Sequence, residues 1–156
     1  MTRVLLVMVL FSACSTGQEI DDRQFQSLMQ DVADGWSTQN TELALRSFHE
    51  NVIYMEPPDI QLYRGHEQLR PYFDALEAKH EMEFHNLMFN RDKQIGAGEY
   101  TFSYGSDTAD TGVVIVKILE GKIAFWREYQ RKGSSDFEDF IDTDGKEWQW
   151  TIENYP

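Results

Sequence analysis

An α+β fold is what this sequence predicts, because segments of helical period fill its first half and segments of strand period its second. Phe25, Leu28, Met29, Val32 and Trp36 recur at helical spacing, which gives an amphipathic helix with one buried stripe, capped by Asp21 or Asp22. From Met82 the period becomes two, and residues 82–90, 97–104, 112–119 and 122–131 read as strands joined by turns rich in glycine and aspartate. The 156 residues, 41% hydrophobic and 13% aromatic, suffice for one domain with a core but not for two.

Taken in order, Thr16 to Asp22 is a polar tether ahead of the first helix. A break over Ser37 to Asn40 leads to a short helix, capped by Asn40 or Thr41, with Leu43, Leu45 and Phe48 available for burial. A first strand, Asn51 to Glu56, ends at Pro57-Pro58, since proline has no N–H to give to a ladder. Gly65 opens a third helix that buries Leu69, Tyr72, Phe73 and Leu76, and Pro71 fits it only if the helix starts near Glu67. Val113 to Val116 and Phe84 to Phe89 are apolar on both faces. Helices then cover one face of the sheet and a second subunit part of the other, so a homodimer is expected. The tail carries a short acidic helix around Phe137 to Ile141, followed by Trp148 and Trp150, which either pack back over the sheet or bind a partner.

Charge and ends narrow the function classes. With 27 acidic against 14 basic residues the net charge is -13, which argues against a nucleic-acid binder and disfavours electrostatic docking on anionic lipid. Arg3, the apolar run Val4 to Phe11 and the small residues that follow read as an export signal. Phe11-Ser12-Ala13-Cys14 resembles a bacterial lipobox, which implies lipidation of Cys14, the only cysteine of the chain. Ordinary secretion and an uncleaved anchor are the alternatives. The expected layout is a signal over residues 1–13, a tether over 14–22, a domain over 23–133 and an extension over 134–156. The expected location is the cell envelope, on the periplasmic face of the outer membrane, with a lipid anchor as the only membrane contact.

Two segments carry candidate chemistry. In the strand that follows the turn Glu120-Gly121-Lys122, Ala124, Trp126, Glu128 and Gln130 share one face while Ile123, Phe125, Arg127 and Tyr129 share the other. Upstream, Tyr54 and Glu56 share a face in the same manner. Glu128 either faces solvent beside Trp126 or enters a cavity with it, and parity alone does not say which face is inside. If Glu56 and Glu128 enter one cavity, burial and like charge raise at least one pKa and make a pair suited to acid and base work. His85, on a face with Leu87 and Phe89, is either a third member or a hydrogen-bonded core residue.

These segments resemble the nuclear transport factor two-like superfamily, and within it the SnoaL-like polyketide cyclases and limonene-epoxide hydrolases, over roughly Phe25 to Arg131. The resemblance implies a cone, a curved antiparallel sheet wrapped around about three N-terminal helices, whose mouth takes a small apolar ligand. It implies catalytic roles for Tyr54, Glu56 and Glu128; the reading of the residues themselves adds His85 in support and expects a pocket walled by Trp126, Trp36 and Phe102. Two departures stand against a full match. The run Glu99 to Tyr104 lacks the arginine and aspartate pair that protonates an epoxide, and Val32 and the valines near Val114 stand where an isomerase keeps its oxyanion hole. The expected activity is cofactor-free hydrolysis, isomerisation or cyclisation: hydration of an epoxide, or proton transfer beside a carbonyl. The alternative is a noncatalytic ligand-binding or protein-interaction module of the envelope.

No cofactor and no metal are expected. His49, His66, His80 and His85 lack metal-site spacing, and neither a phosphate loop nor a nucleophile elbow is present. Asp142-Thr143-Asp144-Gly145 has the middle of a calcium loop, but Phe140 and Thr151 occupy its first and last ligand positions, so it reads as a turn. Asp107 and Asp110 read as a solvated hairpin end.

Overall fold

Asp21 begins the first helix through a reciprocal capping box: its carboxylate accepts from the Gln24 N–H at 2.9 Å, and the Gln24 side chain accepts from the Asp21 N–H at 2.9 Å. The structure, a computed structural model, describes residues 17–57, 60–105, 109–134 and 136–145. The export signal, Cys14, Asp107 and the pair Trp148 and Trp150 lie outside the described residues.

Helix α1 (Asp22–Ser37) buries Phe25, Met29, Val32, Ala33 and Trp36 on one stripe. Helix α2 (Thr41–Leu45) is capped by Asn40, which accepts from the Leu43 N–H at 3.0 Å. The two helices approach so closely that a Cβ on Gly35 would fall 2.6 Å from the Ala44 nitrogen. Helix α3 (Gly65–Asp74) buries Leu69 and Phe73. It begins at Gly65 rather than near Glu67, so Pro71 lies inside it and one backbone bond is missing shortly before its end. Helix α4 (Phe137–Ile141) is capped by Asp136, which accepts from the Asp139 N–H at 2.9 Å.

The strands are β1 (Phe48–Glu56), β2 (Gln61–Arg64), β3 (Glu81–Asn90), β4 (Ile95–Ser103), β5 (Ala109–Leu119) and β6 (Lys122–Ser134). Among the described residues they form one curved, open six-stranded sheet in the order β2-β1-β6-β5-β4-β3. Strand β2 is absent from the sequence expectation because its polarity is inverted. Gln61 and Tyr63 face the interior, while Leu62 faces out and is 50% exposed. All neighbours pair antiparallel except β1 and β6, which run parallel through Tyr54 opposite Trp126 and Met55 opposite Arg127.

Two bulges change the faces that simple alternation predicts. Between Lys117 and Ile118 the β5–β6 register slips, so Ile123 turns inward and is fully buried instead of sharing the outer face with Phe125. Between Phe84 and Asn86 the β3–β4 register slips at His85, which leaves Phe84, Leu87 and Phe89 packed on the core while His85 reaches Thr101, on the outer side of β4.

The core sits between the helices and the inner face of the sheet, with Trp36 at its centre against Tyr54, Tyr72, Phe73, Phe102 and Trp126. Ile20 belongs to it as well. Its backbone N–H and C=O both bond the Gln94 side chain at 3.0 Å, so the end of the expected tether is docked on the domain. Across the outer face, Leu62, Met55, Arg127, Ile115, Ala97 and Met88 lie in one cross-strand row.

Candidate acid and base site

The parallel pairing of β1 and β6 brings the two candidate segments side by side with their buried faces together. Tyr54 and Trp126 stack with ring centroids 5.6 Å apart and planes within 9°. Their polar ends converge on Glu128. The Tyr54 hydroxyl lies 3.1 and 3.0 Å from its two carboxylate oxygens, and the Trp126 indole N–H donates to Oε2 at 2.9 Å. One step further along both strands stands Glu56, also buried, with Oε2 lacking a hydrogen-bond partner among the described residues.

Burial is the main force on Glu128, because taking a carboxylate out of water disfavours its charged form. The nearby Glu56 acts in the same direction, while the donors Trp126 and Tyr54 oppose it, and the balance is a pKa pushed up to about 7. Burial and the charge of Glu128 also push the Tyr54, Tyr72 and Tyr100 hydroxyls well above their ordinary range, so these groups stay protonated and available as donors. Tyr54→Phe removes one of the bonds that favour ionised Glu128. It is expected to raise the Glu128 midpoint by about one pH unit, read from its carboxyl carbon by NMR titration; an unmoved or lowered midpoint would refute that role.

Beside Glu128 lies a cavity of about 50 Å³. Its walls are aromatic, from Trp36, Tyr72, Tyr100, Phe102 and Tyr104, and its polar lining comes from Gln61, Glu128 and Gln130, with Lys132 at the edge. Trp126 is fully buried and touches the site through its bond to Glu128. The Trp36 indole nitrogen, the Gln61 Oε1 and the Tyr100 hydroxyl are buried without a partner among the described residues. An interior with so many open polar atoms differs from the apolar pocket expected from the sequence.

His85 stands apart from this group. It bonds Thr101 and stacks on Phe137, with ring centroids 3.9 Å apart and planes within 4°, and so holds α4 to the sheet. It borders a separate groove of about 630 Å³, together with Glu83, Asp136 and Glu138. The bulge at residue 85 is the physical reason that parity with Leu87 and Phe89 misplaced it.

Asp110, read from the sequence as a solvated hairpin end, is buried on the inner side of β5, where it accepts from the Tyr104 hydroxyl and the Gly133 N–H, both at 2.9 Å. Its alternation with Gly112, Val114 and Val116 is the signal that could have found it. Gly112 leaves room for Tyr100, since a Cβ there would fall 2.6 Å from the Tyr129 carbonyl and 2.9 Å from the Tyr100 hydroxyl. Among the described residues no group of three or more His, Cys, Asp or Glu side chains could hold a metal ion.

This architecture is a nuclear transport factor two-like, cystatin-like fold. It is similar to a protein of unknown function with a cystatin-like fold from Methylobium petroleophilum PM1, at 16% identity and a TM-score of 0.67 over 89% of this chain and 99% of that one. It is also similar to an LEH-like epoxide hydrolase from M. tuberculosis, at 10% identity and a TM-score of 0.59 over 70% and 84% of the two chains. A ketosteroid isomerase-like protein from Kribbella flavida matches at 14% identity and a TM-score of 0.63 over 84% and 93%. No family model and no curated protein matches the sequence. At such identities the likeness is one of fold, and function has to be argued from the site.

Proposed function

We propose that this domain draws a small molecule into the open end of its sheet and exchanges a proton with it through Glu128, without a cofactor, in epoxide hydration or in proton transfer beside a carbonyl. The observation that carries this reading is Glu128 itself: a buried carboxyl with a pKa of about 7, oriented by Tyr54 and Trp126 beside a cavity. A group that titrates near neutrality serves equally as acceptor and donor of protons. The presence of an LEH-like epoxide hydrolase and a ketosteroid isomerase-like protein among structures of this fold supports a ligand pocket at this place. The test is a panel of small epoxides and ketones, followed by NMR for hydration or for deuterium exchange next to the carbonyl. Turnover is expected in the full chain and should vanish in Glu128→Gln with the fold intact; equal turnover in that variant would sink the assignment.

A second reading, a noncatalytic ligand-binding or interaction module, is favoured by the lining of the cavity. Among the described residues around it Lys132 is the one cation, and it lies at the edge, where it does little to stabilise a developing anion. In either reading the chain is proposed to act in the envelope as a homodimer anchored through Cys14. The outer row, apolar except for Arg127, supports the dimer, and the lipobox-like segment supports the anchor. Sedimentation of the soluble part as a monomer, or failure of Cys14 to take up fatty acid, would remove the respective claim.

A further inference from the structure

The unpartnered polar atoms around the small cavity specify more than its existence. Counted by role, the open acceptors on the cavity wall are Gln61 Oε1 and the lone pairs of the Tyr100 hydroxyl, together with whatever capacity Tyr54 and Trp126 leave on Glu128; Glu56 is buried nearby but does not line the cavity. The open donors are the Trp36 indole N–H and the Tyr100 hydroxyl, with Gln130 nearby. A neutral oxygen acceptor by itself meets the Trp36 and Tyr100 donors but leaves Gln61 Oε1 unmatched, so a carbonyl or epoxide oxygen alone does not fill the site. An anion would meet the Glu128 carboxyl in a dry interior. A group that brings several N–H donors and a positive charge satisfies the acceptors and meets the charge.

Shape and wall chemistry agree with this count. The cavity of about 50 Å³ has room for roughly three or four water-sized groups, and so for a ligand's head rather than its body. Its walls are the rings of Trp36, Tyr72, Tyr100, Phe102 and Tyr104, whose faces attract a desolvated cation. The ionisable groups around the site come from several elements, with Tyr63 of β2 stacked on Tyr72 and His80 packed on Phe102 and Tyr104 at the outer side of the wall. Tyr54 and Glu56 come from β1, Tyr72 from α3, and Tyr100 and Tyr104 from β4 and the turn after it. Asp110 comes from β5, and Glu128 and Lys132 from β6. Asp110 is already engaged by Tyr104 and Gly133, and Lys132 is exposed at the edge, so Glu128 is the carboxyl on the cavity wall that can meet a ligand's positive charge.

We infer that the cavity takes the primary ammonium head of a small amine, with Glu128, Gln61 and Tyr100 as its hydrogen-bond acceptors and the aromatic walls around the cation. This inference rests on the proposed role of Glu128 and adds that the small molecule carries an amine besides its reacting carbonyl or epoxide.

The experiment uses the full chain, labelled with nitrogen-15 and with carbon-13 at glutamate carboxyls, and methylammonium chloride, methanol and sodium acetate as probes at constant ionic strength. Methylammonium is expected to shift the Trp36 indole N–H resonance saturably and to lower the Glu128 midpoint by about one to three pH units, as an adjacent opposite charge does. Methanol and acetate should do neither. Glu128→Gln should weaken methylammonium binding about tenfold to a hundredfold. If methanol binds as well as methylammonium, or if methylammonium moves neither resonance while free Glu128 still titrates near neutrality, the amine class is overturned and the acid and base site survives. If free Glu128 titrates in the ordinary carboxylate range, the acid and base reading falls, and the probe shifts alone then decide for or against the amine.

Discussion

Replacing Trp36 by alanine is expected to destabilise the domain by about 3 to 5 kcal/mol, a large part of the roughly 5 to 15 kcal/mol that holds a domain of this kind folded. The size follows from its place. Only 2% of Trp36 is exposed, and its ring meets Phe73 at 5.3 Å, Trp126 at 5.6 Å, Phe102 at 6.1 Å, Tyr72 at 6.3 Å and Tyr54 at 6.4 Å. These partners come from α3, β1, β4 and β6, so the void would open where the helices meet the sheet. The small cavity already lies on one side of the ring, and the surroundings have little freedom to close over the vacancy. Trp36→Phe should lose much less, because it keeps an aromatic ring and removes an indole N–H that is buried without a partner. Urea unfolding of the two variants checks both statements; a loss under about 1 kcal/mol for alanine would mean that the core collapses around the site after all.

The second large effect is a dependence of stability on pH that runs opposite to the usual behaviour of carboxylates. The folded pKa of Glu128 is about 7 and its ordinary value 4.5, so between the two the folded chain keeps a proton that the unfolded chain has released. Its contribution is therefore complete below pH 4.5 and is lost as pH rises through 7. The upper bound on that loss is about 3 kcal/mol. Glu128→Gln has no carboxyl to ionise, and the difference in unfolding free energy between the two proteins should change across this interval by up to that amount, in favour of the variant at alkaline pH. A constant difference would show that Glu128 is ionised throughout, and the case for it as a proton carrier would go with it.

Much of the site was legible because it depends on local alternation. Tyr54 with Glu56 on β1, and Trp126 with Glu128 on β6, share faces as residues two apart in any strand must, and each strand is undisturbed over those positions. What failed is what alternation cannot carry. His85 sits at a bulge, and one extra residue was enough to move it away from the carboxylates. Gln61 and Leu62 stand in a strand that turns its polar residue inward and its apolar residue outward, so hydropathy points the wrong way where the cavity needs a polar wall. Asp110 looked like a hairpin end because its partners, Tyr104 and Gly133, are supplied by a turn and by another strand.

By itself the sequence determined the α+β class, the first helix with an aspartate cap at Asp21 or Asp22, the short α2 and α4 helices, the apolar stripes that make the core, and the pairing of an aromatic with a carboxylate on each of two strands. These follow from spacing and capping, which act within a few residues. Only the tertiary structure decided which face is inside, that β1 and β6 lie parallel so that Tyr54 meets Glu128, and that the resulting cavity is small, aromatic and polar. Those features arise from contacts between segments as far apart as residues 54 and 128, and the near-neutral pKa of Glu128 exists only because the fold removes it from water.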